Sequence, residues 1–181
     1  MGHYWETYSL VLGRSMTVRE LLARTGCVED SIFTPEDQEE IDDFLWEGQQ
    51  EPHRWTAVWA GEEGNWVYLV TPHSASATLP NRLASVSRAT TAVAFSRVFA
   101  MCNVHLWEEQ QEVTSFEVMR SYERSGNAPD RLLPLLEQVG CFDGGLEWEG
   151  KGLRIVYELT GVQVPQLTPG SITMASLPAI P

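Results

Sequence analysis

Five short apolar segments between residues 54 and 118 constrain the fold more than any other feature of the sequence. They are Arg54–Ala60, Asn65–Val70, Thr91–Phe99, Asn103–Trp107 and Val113–Val118, each rich in aromatic or β-branched residues and bounded by turn signals. The first two are joined by Gly61-Glu62-Glu63-Gly64, a hairpin signature. Trp55, Ala57 and Trp59 share one face of the first segment, and Trp66, Tyr68 and Val70 share one face of the second. Apolar residues occupy both faces of each, so these strands belong in the interior of a sheet. A chain of 181 residues is enough for one domain and buries about 70% of its unfolded surface on folding, so it needs no metal or disulfide to fold.

Helices flank this sheet in the sequence. An N-terminal strand over His3–Leu12 precedes a helix at Val18–Thr25, for which Thr17 and Glu20 supply a capping box and Gly26 a left-handed end. A second helix start lies at Thr34-Pro35, with Thr34 as the cap and Asp37 at the third position. There Ile41, Phe44 and Leu45 form one apolar stripe. A short helix at Pro80–Val86 bridges two strands. Asn127, Pro129 and Asp130 are start signals for a helical segment that carries Leu132, Leu133, Leu135, Leu136 and Val139; Pro134 must sit near its first turn, and Gly140 ends it. Leu153–Thr160 reads as a helix closed by Gly161, with a strand as the alternative because of Ile155-Val156. The order strand, helices, meander, helices predicts an α+β fold. Its antiparallel sheet has about five or six strands and packs with N- and C-terminal helices. Residues 1–161 form the single domain. Residues 162–181 form an uncharged tail with Pro165, Pro169, Pro178 and Pro181, which excludes a helix or a central strand and predicts an extended path over the domain.

The charge distribution narrows the function. Twelve Lys and Arg stand against 25 Asp and Glu, a net charge of −13. Such a surface repels nucleic acid and anionic lipid. No apolar run approaches a membrane span, and the first residues lack a signal-peptide pattern, so the expected compartment is the cytoplasm. Between Glu29 and Glu63 there are twelve acids and one base, Arg54. Cys27, Cys102 and Cys141 are too few and too scattered for a disulfide framework.

Catalytic patterns are absent from the sequence. Cys102 and His105 have a C-x-x-H spacing, but on a strand they point to opposite faces, so no metal site is expected and His105 is read as paired on a sheet surface. Ser74 and Ser76 lie in a loop with no nucleophile motif, and Cys141 is flanked by Asp143 and Glu147 rather than by the cations that activate a thiol. Glu117 reads as a solvent-facing strand residue. No phosphate-binding glycine loop is present. No cofactor is implied, and the missing motifs lean against an enzyme without deciding the point.

Several segments in order resemble a family of small acidic proteins of unknown function from actinobacteria. They are Tyr8–Gly26, the Trp55–Val70 hairpin, Leu83–Glu117 ending in Val113-Thr-Ser-Phe-Glu117, Pro129-Asp-Arg-Leu-Leu, and Tyr157-Glu-Leu-Thr-Gly161-Val. The resemblance spans about residues 4–162 and implies an intracellular α+β protein, but no activity. The acid-rich stretch 36–51 and the apolar tail depart from the common pattern.

Two functions are compatible with these residues. In the first, Glu36, Asp37, Glu39, Glu40, Asp43 and Glu47 present an acidic helix face to a basic protein partner, as in an immunity-like or regulatory protein. In the second, the chain is a small-molecule binding protein or an enzyme of specialised metabolism, and Trp55, Trp59, Trp66, Tyr68 and Trp107 line a pocket for a small apolar ligand. Exposure of Trp5, Trp46 or Trp148, near element ends, would be meaningful.

Overall fold

A computed structural model describes residues 6–163 and 167–179. Its centre is β1 (Thr7–Arg14), whose residues Tyr8 to Gly13 are all buried. A strand with two apolar faces must be covered on both, and here β1 lies in the middle of a seven-stranded antiparallel sheet. The other strands are β2 (Trp55–Glu63), β3 (Trp66–Pro72), β4 (Thr91–Val98), β5 (Met101–Glu108), β6 (Gln111–Glu117) and β7 (Thr173–Pro178). The spatial order is β6-β5-β4-β1-β3-β2-β7.

Alternation along the strands sends side chains into two apolar layers. Leu10 and Leu12 of β1, Trp59 of β2, Tyr68 of β3 and Phe95 of β4 pack with helices α2 (Gln38–Gln50), α4 (Leu133–Val139) and α5 (Trp148–Thr160). Val11, Val58, Leu69 and Ala94 face the other way, against α1 (Val18–Thr25) and α3 (Pro80–Val86). The sheet is therefore covered on both faces, each by helices from distant parts of the chain.

The expected α+β class and antiparallel sheet are present, but the sheet has seven strands rather than five or six. The extra strand, β7, comes from the proline-rich tail. It pairs with β2 from Trp55↔Pro178 to Ala60↔Thr173 and, among the described residues, with no other strand. Pro178 ends this edge strand, the position in a sheet that tolerates a residue without an N–H. Residues 164–166 and 180–181 of the tail, and the first residues of the expected His3–Leu12 strand, lie outside the described residues.

Local signals placed most helix boundaries. In α1 the Glu20 amide donates to Thr17 Oγ1 (3.2 Å), the Thr17 amide donates to Glu20 Oε2 (3.1 Å), and Gly26 is left-handed at φ 92°. Pro134 sits in the first turn of α4. Residues 153–160 are helical, within a helix that begins at Trp148.

The start of α2 is a correction. Thr34 does not cap it. The helix begins at Gln38 and its cap is Asp37, whose Oδ1 accepts the Glu40 amide at 3.0 Å. The cause is tertiary. Phe33 exchanges two backbone hydrogen bonds with Met174 of β7 (3.0 and 2.8 Å), and the Gly170 amide donates to Pro35 O. The tail thus holds residues 33–35 extended, and the helix starts at the next competent cap.

Candidate functional site

The acid-rich stretch forms α2, and its seating on the sheet decides which residues face outward. Ile41 is fully buried, Phe44 stacks edge-on to Phe33 at 5.0 Å, and Phe44 also meets Trp55 at 5.1 Å. Gly48 allows the closest approach. A Cβ there would lie 2.9 Å from the Ala57 backbone nitrogen, so only glycine lets the helix rest directly on β2. With this side inward, Glu39, Glu40, Asp42, Asp43, Trp46 and Glu47 are exposed.

The outward acids do not all serve the same purpose. Asp37 caps the helix. Glu39 and Glu40 lie in the first turn, where negative charge complements the helix dipole, and Glu40 Oε2 also accepts the Glu36 amide at 2.8 Å. Asp42 accepts a hydrogen bond from Gln38 Nε2 at 2.9 Å. Among the described residues, Asp43 and Glu47 accept no hydrogen bond and pair with no base. The last turn of α2 carries no basic residue, so Glu47 opposes the helix dipole. Trp46 is 62% exposed and lies one turn from both Asp42 and Asp43.

A cleft of about 740 Å³ opens beside the C-terminal half of this helix. Leu45, Gly48 and Gln49 of α2 form one wall, and Trp55, Thr56 and Ala57 of β2 form the floor. The loop after β3, from His73 to Ser76, forms the opposite wall, with Leu79 and Ala179 closing the end. His73 adopts a left-handed φ of 55°. Its Nε2 lies 3.2 Å from Gln49 Nε2, an arrangement in which the amide donates and the ring proton resides on Nδ1. Ser74 Oγ accepts the Ser76 amide (3.1 Å) and donates to Ser76 Oγ (2.9 Å), while Ser9 Oγ donates to Ser74 O (3.1 Å). The loop is therefore tied to the sheet, to itself and to α2. The sequence does not disclose these settings, because His73 meets a helix residue 24 positions earlier and the serine loop is fastened to Ser9 of β1.

The five aromatic residues read as a pocket lining are not brought together. Trp55 reaches the cleft. Trp59, Trp66 and Tyr68 are buried in the core layer under α2, α4 and α5. Trp107 is buried on the opposite face, with α1 and α3. Period-two alternation assigns faces within one strand, but it does not align one strand's faces with another's.

The remaining candidates have structural settings. Cys102 is buried under α5, whereas His105 faces the other side of β5, with Nδ1 3.8 Å from Glu112 Oε1. The neighbouring His105 imidazole holds the Glu112 carboxyl below its usual range. Glu117 is half-buried, not solvent-facing, at 3.8 Å from Arg120 Nε. Burial pushes the Cys27 thiol up to about 12 and the Cys102 thiol to about 11, and it raises Cys141 despite the opposing charge of Lys151. None of these thiols is activated as a nucleophile.

A cluster the sequence did not disclose joins β1, β4 and α5. Tyr8 Oη donates to Glu149 Oε1 at 2.7 Å, and Arg97 Nη1 lies 2.5 Å from Glu149 Oε2. Burial, reinforced by the Glu149 hydrogen bond, holds the Tyr8 phenol far above its ordinary value. Lys151 in the same helix donates to the carbonyls of Gly140 (2.6 Å) and Gly144 (2.7 Å) and lies over the Trp148 ring.

The family model for a family of unknown function, DUF6461, matches residues 1–166. The chain belongs to that family. The matched residues end before β7. No curated protein and no solved structure shows significant similarity to the chain. Among the described residues, no helix is long and apolar enough to cross a membrane.

Proposed function

We propose that the chain is a non-enzymatic interaction protein whose α2 docks a basic protein partner in an immunity-like or regulatory role. One observation carries the reading: a largely exposed tryptophan, Trp46, stands beside Asp43 and Glu47, two carboxylates that among the described residues neither cap the helix nor pair with a base. Asp43 lies within one turn of Glu39, Glu40, Trp46 and Glu47. Acids needed for stability would be capped, paired or placed to complement the dipole, and Asp43 and Glu47 are none of these. An exposed aromatic ringed by acids suits an arginine- or lysine-bearing surface. The cation stacks on Trp46, the carboxylates pair with its neighbours, and the surrounding field speeds encounter.

The test compares the unaltered protein with Trp46→Ala and with Asp43→Lys/Glu47→Lys as bait in extracts of the native host. Association kinetics of any recovered partner are then measured at two salt concentrations. Asp37 is left unaltered, because its loss would remove the helix cap at a cost of about 1 kcal/mol. The expected result is slower association of the charge-reversed protein with a weaker dependence on salt, and about tenfold or more loss of affinity on removing Trp46. Equal association of all three proteins would reduce the acidic face to a solvated surface.

A further inference from the structure

We propose that the cleft between α2, the start of β2 and the His73–Ser76 loop binds an uncharged ring compound that carries hydroxyl groups. The inference is independent of the docking reading, since it uses the inner flank of α2 rather than its outer face.

The shape of the cleft is set in advance. Trp55 is clamped between Phe44 and the bare backbone of Gly48, where an added Cβ would lie 3.2 Å from the indole ring. It therefore offers a fixed apolar platform at the floor. The opposite wall is held by the Gln49–His73 contact and by the two serines. A site whose walls are already positioned spends little binding energy on ordering.

The chemistry of the walls selects the ligand. Among the described residues, the lining holds no Asp, Glu, Lys or Arg. An anion would find no cation there and would approach through the field of the exposed acids on α2. A cation would find no carboxylate to pair with once inside, and desolvating an unpaired charge is costly. Hydrogen-bonding capacity remains on both sides. Ser74 donates to Ser76 Oγ, and among the described residues the Ser76 hydroxyl proton has no acceptor. The Gln49 amide donates to His73, which leaves its carbonyl oxygen to accept. One donor and one acceptor across an aromatic platform fit a ring with an apolar face and peripheral hydroxyls. Monosaccharides and nucleosides share that chemistry.

The experiment titrates isotopically labelled full-length protein with methyl β-glucoside in one arm and adenosine in the other. Each is matched by its phosphorylated counterpart, glucose 6-phosphate or AMP, and backbone amide shifts are followed by NMR. Saturable shifts at Gly48, Gln49 and His73–Ser76 with one neutral probe, and weaker binding of its phosphorylated partner, support the site and identify which ring it takes. Gln49→Ala and Ser76→Ala should each weaken that binding roughly 3- to 10-fold. Their amide spectra outside the cleft should match the parent, since both residues lie at the cleft wall outside the core clusters. Absence of saturable shifts with both neutral probes at millimolar concentration overturns the proposal. So does tighter binding of the phosphorylated compounds, or binding indifferent to both substitutions.

Discussion

Helices α2 and α5 are both 13 residues long and both lie on the same face of the sheet. Each approaches the sheet through a glycine: Gly48 against Ala57, and Gly152 against Phe95, where an added Cβ would lie 2.4 Å from the ring. Their inner faces solve the same packing problem in the same way. Their outer faces differ. In α5, Glu149 is bound by Tyr8 and Arg97, Arg154 lies 2.7 Å from Glu158, and Lys151 ties down the preceding loop. In α2, every charged side chain is acidic, and among the described residues none pairs with a base. Charge in α5 is spent on holding the fold together, whereas two of the five charges in α2, Asp43 and Glu47, have no such use. Paired and unpaired carboxylates on one sheet face thus separate what the fold requires from what it merely permits.

The largest expected effect tests whether the two helices are equally anchored. Ile41→Ala in α2 and Ile155→Ala in α5 remove fully buried side chains, and each should cost about 2–5 kcal/mol in denaturant unfolding. A cost below about 1 kcal/mol for Ile41 alone would show that α2 rests loosely on the sheet, and the comparison would fail at its base.

A smaller effect sharpens the role of Glu149. Replacing it with Gln weakens the hydrogen bond from Tyr8 and removes the ionic partner of Arg97, so stability should fall by about 1–2 kcal/mol. The same cluster has an alkaline signature. The Tyr8 phenol is raised in the folded state by burial first and by Glu149 second. Its contribution is therefore full below the unfolded tyrosine value of about 10 and is lost as pH rises beyond it, because the unfolded chain ionises first. Tyr8→Phe should flatten the decline of stability above about pH 10. Tyr68, also raised by burial, keeps some of the slope. An unchanged alkaline slope in the Phe variant would remove Tyr8 from this account.

The smallest effect is expected on the outer face of α2. Asp43→Lys and Glu47→Lys should each change stability by no more than about 0.5 kcal/mol. The second should tend toward stabilisation, since a cation in the last turn suits the dipole. A loss of more than about 1 kcal/mol from either would mean that these carboxylates hold the fold after all, and the contrast with α5 would disappear.

Much of this architecture follows from local chemistry. Turn residues and alternation place β2 to β6, because a pleated strand declares its faces every second residue. Thr17, Glu20 and Gly26 bound α1, because capping groups lie within a few residues of the backbone atoms they satisfy. The acidic face of α2 is legible for the same reason, since the stripe Ile41, Phe44 and Leu45 sets which side is outward. What the sequence by itself determined, then, is the kind of element at each place and the outward charge of α2. Only the tertiary structure decided the rest. The tail became a seventh strand because β2 offered an open edge, and its bonds to Phe33 and Pro35 moved the start of α2 from Thr34 to Asp37. Gln49 and His73 meet across 24 residues, Tyr8 and Glu149 across 141, and Trp55 and Ala179, 124 residues apart, line one cleft. Contacts at such range leave no periodic trace in either partner's neighbourhood, so the cleft and the Glu149 cluster exist only once the sheet has closed around β1.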